Sequence, residues 1–264
     1  MGIYKEGYRK FEGSLHGWWW RVFTIFRNEF KRRLKNKWVI LMIVLSWVIG
    51  ILPILFGAPF IAFFVISFVW LVLPTAILGG PILSEDFQYN SITLYLSRPL
   101  NRLDYFFGKY LTLFGLISLI ALLPNIFISG YIVGVLYGTP TEDFDYYKFA
   151  LSLMGMGLII TFIFTNIGMA FSAVTKNYKY ASTGIVVVLY FSNVLSLALS
   201  NLHEDIMYLS IWANLMLIFS DWNGLANNSM FDQDVNIAYA VLIILSLFCL
   251  AIVWYRIKRA ELSE

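Results

Sequence analysis

Charged residues are scarce in this sequence of 264 residues, where Asp, Glu, Lys and Arg together make up only 13%. A soluble domain carries about 25% charged and roughly 45–50% apolar residues, whereas hydrophobic residues reach 59% here and aromatic residues 18%. The composition therefore excludes a soluble globular domain, a disordered chain and a disulfide scaffold, and it predicts a membrane protein.

Cysteine and histidine are nearly absent. The single cysteine, Cys249, cannot form an internal disulfide bond. The two histidines, His16 and His203, are far apart in the sequence and have no neighbouring metal-ligand residues. We therefore expect no metal and no cofactor on this chain. The net charge of +3 is too small to predict a nucleic-acid partner.

Six apolar runs are long enough to cross a bilayer, which takes roughly 17–25 helical residues. None of them contains Asp, Glu, Lys or Arg, and they cover residues 38–56, 60–83, 111–136, 149–174, 180–199 and 235–255. We predict an all-α membrane protein with a cytoplasmic segment at 1–37, a six-helix transmembrane domain at 38–255 and a cytoplasmic tail at 256–264.

Basic residues fall on one side of this arrangement. Of the 19 Lys and Arg residues, only Lys148 lies in a loop on the opposite side. Because short basic loops stay in the cytoplasm, we expect a multi-pass protein of the plasma membrane with both termini inside. A further apolar segment, 206–219, is too short to span, and it is predicted to be a re-entrant or interface-lying helix on the outer face.

The segment before the first span has the pattern of an amphipathic helix. Trp19, Phe23, Phe26 and Phe30 recur at helical spacing, and basic residues occupy the other faces. A basic helix with an aromatic side is typical of a helix that lies in the membrane surface. Two roles stay open for it, namely a topology anchor in contact with the lipid bilayer and a docking element for a partner.

The sequence offers no energy source of its own. It lacks the Gly-x-x-x-x-Gly-Lys-Ser/Thr loop that binds ATP phosphates. It also places no ionisable residue inside the predicted spans, where ion-driven transporters usually carry them. No pair of acids, histidine cluster or Ser/His arrangement within the membrane indicates an enzyme. We therefore expect a non-enzymatic chain whose energy comes from a cytosolic partner.

The loop between the second and third spans carries a family resemblance. Glu85 is followed by the run Leu96-Ser97-Arg98-Pro99-Leu100-Asn101-Arg102 and then by Gly108-Lys109. This order resembles the permease subunits of ATP-binding-cassette transporters of the type-two, exporter-like class. The entry into the first span, Phe26-Arg27-Asn28-Glu29-Phe30-Lys31, resembles the same family. Six spans with cytoplasmic termini agree with this resemblance.

The resemblance implies a mechanism and a set of partners. A coupling helix within 84–97 would sit in a cleft of a separate nucleotide-binding ATPase subunit, which holds ATP and Mg, and a second permease copy would complete a homodimer. The implied docking residues are Glu85, Asp86, Tyr95, Arg98, Pro99, Arg102, Lys109, Lys176 and Lys179. As an alternative, Arg98 and Arg102 only bind lipid phosphate and anchor the spans.

Small and polar residues inside the spans have two interpretations each. Gly130, Gly134 and Gly138 share one helical face, which favours packing within the bundle or, alternatively, contact with a second copy. The in-span amides are Asn125, Asn166 and Asn193. A buried amide without a partner costs several kcal/mol, with about 4–8 kcal/mol for transfer to an alkane. We expect these amides to bond to other helices or to line a transport pathway.

The predicted cargo is hydrophobic or amphipathic, such as a lipid, a peptide or a drug-like molecule, because the spans are apolar and free of charge. Two rival functions stay open. One is a non-transporting membrane protein, such as an immunity or assembly factor. The other is a transporter or channel driven by an ion gradient.

Overall fold

The structure is a computed structural model that describes residues 17–55, 60–89, 91, 101–136, 145–199, 204–224 and 234–259. This part of the chain is 92% helix and contains no strand, which confirms the all-α prediction for it. The helices are α1 (Trp18–Leu34), α2 (Lys37–Leu55), α3 (Phe60–Gly79), α4 (Pro81–Gln88), α5 (Arg102–Ile120), α6 (Leu122–Tyr131), α7 (Tyr146–Val174), α8 (Tyr178–Leu199), α9 (Ile211–Trp222) and α10 (Val235–Arg259). A π-helical turn, Ile132–Leu136, extends α6, and a 3₁₀ turn, Glu204–Leu209, precedes α9.

Helices occupy the described part of each of the six predicted spans, but only part of the span count is established. Within the described residues, three helical segments are long and apolar enough to cross a membrane. They are Arg102–Gly134, which combines α5, α6 and part of the π-helical turn, Tyr146–Val174 and Val235–Arg259. The outer surface agrees with a lipid environment, because apolar side chains of α10 such as Ile244, Leu247 and Phe248 are more than 60% exposed. Such a face indicates a membrane protein. The full count of six spans stays a prediction.

The second predicted span is interrupted, and the helix of the third begins before the predicted span. α3 ends at Gly79 and α4 begins at Pro81, because two glycines in succession and a proline without an N–H interrupt the helical hydrogen bonds. α5 begins at Arg102, nine residues before the predicted span, and its N-terminus is capped where the Asn101 N–H donates to the Asp104 carboxylate at 3.1 Å.

The bundle has two distinct ends. At the end that we call the basic end, the Arg21 guanidinium lies 3.3 Å from the Asp104 carboxylate and Arg256 donates to the Ala173 carbonyl at 3.2 Å. The first contact joins α1 to the start of α5, and the second joins the end of α10 to the end of α7; α4 lies between these pairs and contacts both α1 and α10. At the opposite end, the Trp222 indole donates to the Tyr239 hydroxyl at 2.6 Å. This contact joins the end of α9 to the start of α10.

α9, the predicted re-entrant segment, lies at the opposite end without crossing the bundle. Its first turn adjoins α8, where Ser210 donates to Asn193 at 3.2 Å, and its end adjoins α7, where Ser152 donates to Asn223 at 3.0 Å. Asn193 is six residues from the end of α8 and Ser152 is six residues from the start of α7. Both ends of α9 therefore lie within about two helical turns of the same end of the bundle. Its re-entrant character stays a prediction.

Candidate functional site

Six charged side chains from α1, α4 and α5 meet at the basic end. We call them the charge cluster: Glu29, Arg32, Arg33, Glu85, Asp86 and Lys109. At its centre, the Lys109 ammonium lies 2.6 Å from Glu29 Oε1 and 2.7 Å from Asp86 Oδ2. The Lys109 side chain is 0% exposed, and both acids are nearly as buried. The centre of the cluster is therefore closed to solvent.

The cluster opens toward its rim. Arg33 lies 2.9 Å from the Glu85 carboxylate, which is 31% exposed, and it also donates to the Pro81 carbonyl at 3.1 Å. Arg32 binds Glu29 through two hydrogen bonds of 3.2 and 3.1 Å and is more than half exposed. The charge cluster thus runs from a buried lysine to an acid that a partner can reach.

Positive and negative charges balance in this region. Three acids face three bases within the cluster, and the neighbouring Arg21–Asp104 pair adds one of each. The Tyr105 hydroxyl donates to Asp86 at 2.7 Å and further satisfies that carboxylate. Removing one partner from a buried ion pair costs about 3–5 kcal/mol, because the other charge is left without compensation.

The neighbouring bases lower the pKa of Glu29. Burial raises the pKa of this carboxyl, but Lys109, Arg32 and Arg33 more than offset that effect, so its pKa lies below the ordinary value. Burial likewise lowers the pKa of Arg32, whereas Glu29 and Glu85 raise it, and the net result is a raised pKa. At neutral pH, Glu29 and Arg32 therefore both carry their charges.

α4 is held in place by one serine of α7. Ser172 Oγ accepts hydrogen bonds from the N–H groups of Leu83 at 2.8 Å and Ser84 at 2.9 Å, and it donates to the Gly80 carbonyl at 2.6 Å. The first N–H groups of a helix have no acceptor within that helix. Ser172 therefore supplies an acceptor for two N–H groups that the break at Gly79 and Gly80 leaves without one. The acids of α4 are consequently fixed relative to α7.

Close backbone contacts complete this anchorage. A Cβ atom on Gly79 would lie 2.9 Å from Gly168 Cα in α7, and one on Gly80 would overlap Ser182 Oγ in α8. Only glycine allows helices to approach this closely. Gly80 contacts Ser182 in the second turn of α8. The exposed Lys176 and Lys179, at the start of α8, therefore lie at the same end of the bundle as α4.

α1 packs along the first turns of α5. A Cβ atom on Gly108 would lie 2.6 Å from Ile25 Cγ2, and one on Gly115 would lie 3.2 Å from the Phe30 ring. The predicted membrane-surface face of α1 is therefore divided. Trp19 and Phe23 are 69% and 50% exposed, whereas the rings of Phe26 and Phe30 both reach Gly115. The glycine leaves room for the two inner rings, so they contact protein.

The predicted docking residues differ in accessibility. Glu85 is partly exposed at the rim, Arg102 is half-buried in the first turn of α5, and Lys176 and Lys179 are exposed. Asp86 and Lys109 are buried within the chain, so a partner cannot touch them in this conformation and their contribution is internal. Tyr95, Arg98 and Pro99 lie outside the described residues.

The predicted glycine face has no close neighbour in the part of the chain that the structure describes. A Cβ atom on Gly130 or Gly134 would meet nothing within 4 Å. Among the described residues these two glycines therefore bring no helices together, and their packing within the bundle stays a prediction. Contact with a second copy stays a prediction for them, and Gly138 lies outside the described residues.

Two of the three in-span amides bond across helices. Asn166 accepts from the Tyr110 hydroxyl at 3.0 Å, and Asn193 accepts from the Ser210 hydroxyl at 3.2 Å. The amide of Asn125 lies against Gly157, where an added Cβ atom would stand 3.0 Å from its Nδ2. The side-chain oxygens of Asn166 and Asn193 are thus bonded, whereas Asn166 Nδ2 is buried without a hydrogen-bond partner among the described residues. A pathway role for any of the three stays a prediction.

Sequence reasoning missed Glu29, which joins α1 to the buried centre. The signal was present, because Glu29 is the single acid between residues 18 and 37, among seven basic residues. Among the described residues, no group of three or more His, Cys, Asp and Glu is placed to hold a metal ion. The cluster joins α1, α4 and α5 through ion pairs at the basic end.

No protein-family model matches the chain, and no curated protein is significantly similar to it.

Proposed function

We propose that this chain is the permease subunit of an ATP-binding-cassette transporter of the type-two class. It would span the plasma membrane six times with both termini in the cytoplasm. A separate nucleotide-binding subunit would dock on the loop 84–104 and supply the energy of ATP hydrolysis. A second copy of the chain would complete the transport unit.

One observation carries this proposal: α4, the helix that opens the loop, combines an exposed edge with a rigid attachment. Glu85 is partly exposed at the rim, while Asp86, one residue later, is bound to the buried Lys109. Ser172 fixes the same helix to α7. A partner pressing on α4 would therefore move several helices together. A transporter that is driven by a separate cytosolic subunit needs such a connection.

The proposed mechanism follows from this attachment. ATP-driven closure of two ATPase subunits would push α4 and the loop behind it, and the charge cluster would pass the displacement to α1 and α5. Rim charges such as Glu85 would set the register of docking more than its affinity. The cargo that fits the apolar spans is hydrophobic or amphipathic, and we propose export as the direction.

The proposal is tested by purifying the tagged chain together with the nucleotide-binding subunit and measuring ATPase activity. The double variant Arg98→Glu/Arg102→Glu is expected to reduce the amount of bound ATPase at least tenfold, because both basic side chains of the docking loop are replaced by acidic ones. The matched control is Lys148→Glu, which reverses an exposed charge at the opposite end. Thermal melting establishes that each variant is folded.

Other outcomes would favour the rivals. If no ATPase is associated with the chain, or if the double variant binds as much ATPase as the unchanged chain, the proposal fails. Cargo flux in vesicles without ATP, dependent on an ion gradient, would favour the ion-driven alternative. Absence of any flux in both conditions would favour an immunity or assembly role.

A further inference from the structure

Basic residues on the inward face of α1 form salt bridges with the acidic residues near it. Arg21 pairs with Asp104, Arg32 with Glu29 and Arg33 with Glu85. Asp86 is engaged by Lys109. The acids of α4 and of the first turn of α5 are therefore already neutralised, and α1 has excess positive charge on its other side.

That other side carries one row of exposed residues at a spacing of four. The row consists of Trp19, Phe23, Arg27, Lys31 and Lys35, and all five are exposed. Residues four apart share a helical face. Within the described part of the chain, no carboxylate forms a salt bridge with Arg27, Lys31 or Lys35. The row is thus aromatic at its start and basic along the rest of its length.

The position of this row specifies its surroundings. α1 ends at Leu34 and α2, the first apolar helix, begins at Lys37, so the basic part of the row lies within a few turns of the membrane boundary. Trp38, the next large exposed side chain, is 66% exposed. Exposed aromatic rings beside unpaired cations match the boundary between headgroups and acyl chains. The ligand class that is always present there is phospholipid.

We propose that the Arg27, Lys31 and Lys35 side of α1 binds the headgroups of anionic phospholipids. The three cations would contact headgroup phosphates, with Trp19 and Phe23 as apolar contacts beside them. The inference rests on the membrane position of α2 within the proposed function and does not depend on an ATPase partner. α1 would then join the charge cluster on one face to the lipid surface on the other.

The test uses the purified full chain in mild detergent, incubated with equal amounts of phosphatidylglycerol and phosphatidylcholine that have the same acyl chains. Native mass spectrometry counts the lipids of each type that stay bound. We expect at least a threefold preference for phosphatidylglycerol, and we expect Arg27→Gln/Lys31→Gln/Lys35→Gln to remove it. Raising NaCl from 0.15 to 0.6 M should weaken the preference, because exposed charges are screened.

Two controls keep the result interpretable. Lys176→Gln/Lys179→Gln neutralises exposed cations at the same end of the bundle but outside α1, and it should keep at least half of the preference. The triple variant should melt within about 2 °C of the unchanged chain, since its side chains are exposed and unpaired. A matching melting temperature separates loss of lipid from loss of fold.

The proposal is overturned if the unchanged chain binds both lipids equally, or if the control variant loses the preference as fully as the triple variant. If the triple variant keeps its lipid but loses a bound protein, the face is a protein-docking surface and the proposal is also wrong. Lipid preference without any associated ATPase would support this inference while contradicting the proposed transport function.

Discussion

Lys109 shows at the scale of single residues what the sequence could and could not predict. Its place beside Gly108 indicates the end of a cytoplasmic loop, and a lysine there is expected to face phosphate or a partner. The structure instead encloses it between Glu29 and Asp86, 80 and 23 residues away in sequence. Pairing over such separations depends on how α1 and α4 pack on α5, and hydropathy does not encode that packing.

The first prediction concerns the loss of this lysine. Lys109→Met leaves two buried carboxylates without their cation, so we expect the free energy of unfolding to fall by about 3–5 kcal/mol. Thermal melting in detergent measures the effect. Lys176→Met, at an exposed position, is the control and should change stability by about 0.5 kcal/mol or less. Equal melting temperatures for Lys109→Met and the unchanged chain would refute the buried ion pair.

A second prediction follows from the lowered pKa of Glu29. A carboxyl whose pKa falls on folding stabilises the folded state fully above its unfolded value, and this stability is lost as the pH falls through the folded pKa. The ordinary value is 4.5, so the advantage of the unchanged chain over Glu29→Gln should be constant above about pH 5.5 and should narrow below about pH 4.5. Melting curves between pH 3.5 and 7.5 measure it. An advantage that grows toward low pH contradicts this assignment.

At the scale of elements, apolar runs located the helices well but did not locate their breaks. The run 38–56 corresponds to α2, Lys37–Leu55, and 180–199 corresponds to α8, Tyr178–Leu199. The run 60–83 contains the break between α3 and α4. Hydropathy does not reveal this break, because Gly79, Gly80 and Pro81 carry no charge and do not interrupt an apolar run. The fixation of α4 could not be predicted, since it depends on Ser172, more than 80 residues away.

The third prediction tests this fixation. Ser172→Ala leaves two N–H groups of α4 without their acceptor, and a buried unsatisfied group costs about 1–3 kcal/mol. We expect amide hydrogen exchange in residues 81–88 to become at least fivefold faster. Ser118→Ala is the matched control, because the Ser118 hydroxyl donates only within its own helix, to the Phe114 carbonyl at 2.7 Å. Unchanged exchange in Ser172→Ala would show that α4 is held by other contacts.

At the scale of the whole molecule, the charge distribution predicted which chain segments gather at each end, and the structure brings α1, α4 and the end of α10 together accordingly. The packing of α1 on α5 was not predictable, because an amphipathic pattern is equally satisfied by lipid and by protein. Gly108 and Gly115 leave room for the side chains of α1, so one side of α1 packs against α5. The exposed cations on its other side are those that we propose to contact the membrane surface.

The fourth prediction concerns orientation in the membrane. In a Cys249→Ser background, a cysteine at Asp145 should react with an impermeant maleimide from outside intact cells, because α7 begins at the opposite end. A cysteine at Lys176 should react only after the membrane is opened, because it lies at the basic end. Both positions are exposed in the folded chain. The reverse labelling pattern would invert the topology.

The most direct test of the account is a cross-link from the exposed edge of α4. Gln88 is exposed at the end of this helix, so a photo-reactive benzoylphenylalanine there reports a docked partner without disturbing the charge cluster. We predict a cross-link to a nucleotide-binding subunit whose yield changes when ATP is added, and none from the same probe at Asp145. If the probe at Gln88 captures no ATP-binding polypeptide with or without ATP, the chain is not driven in the way proposed here.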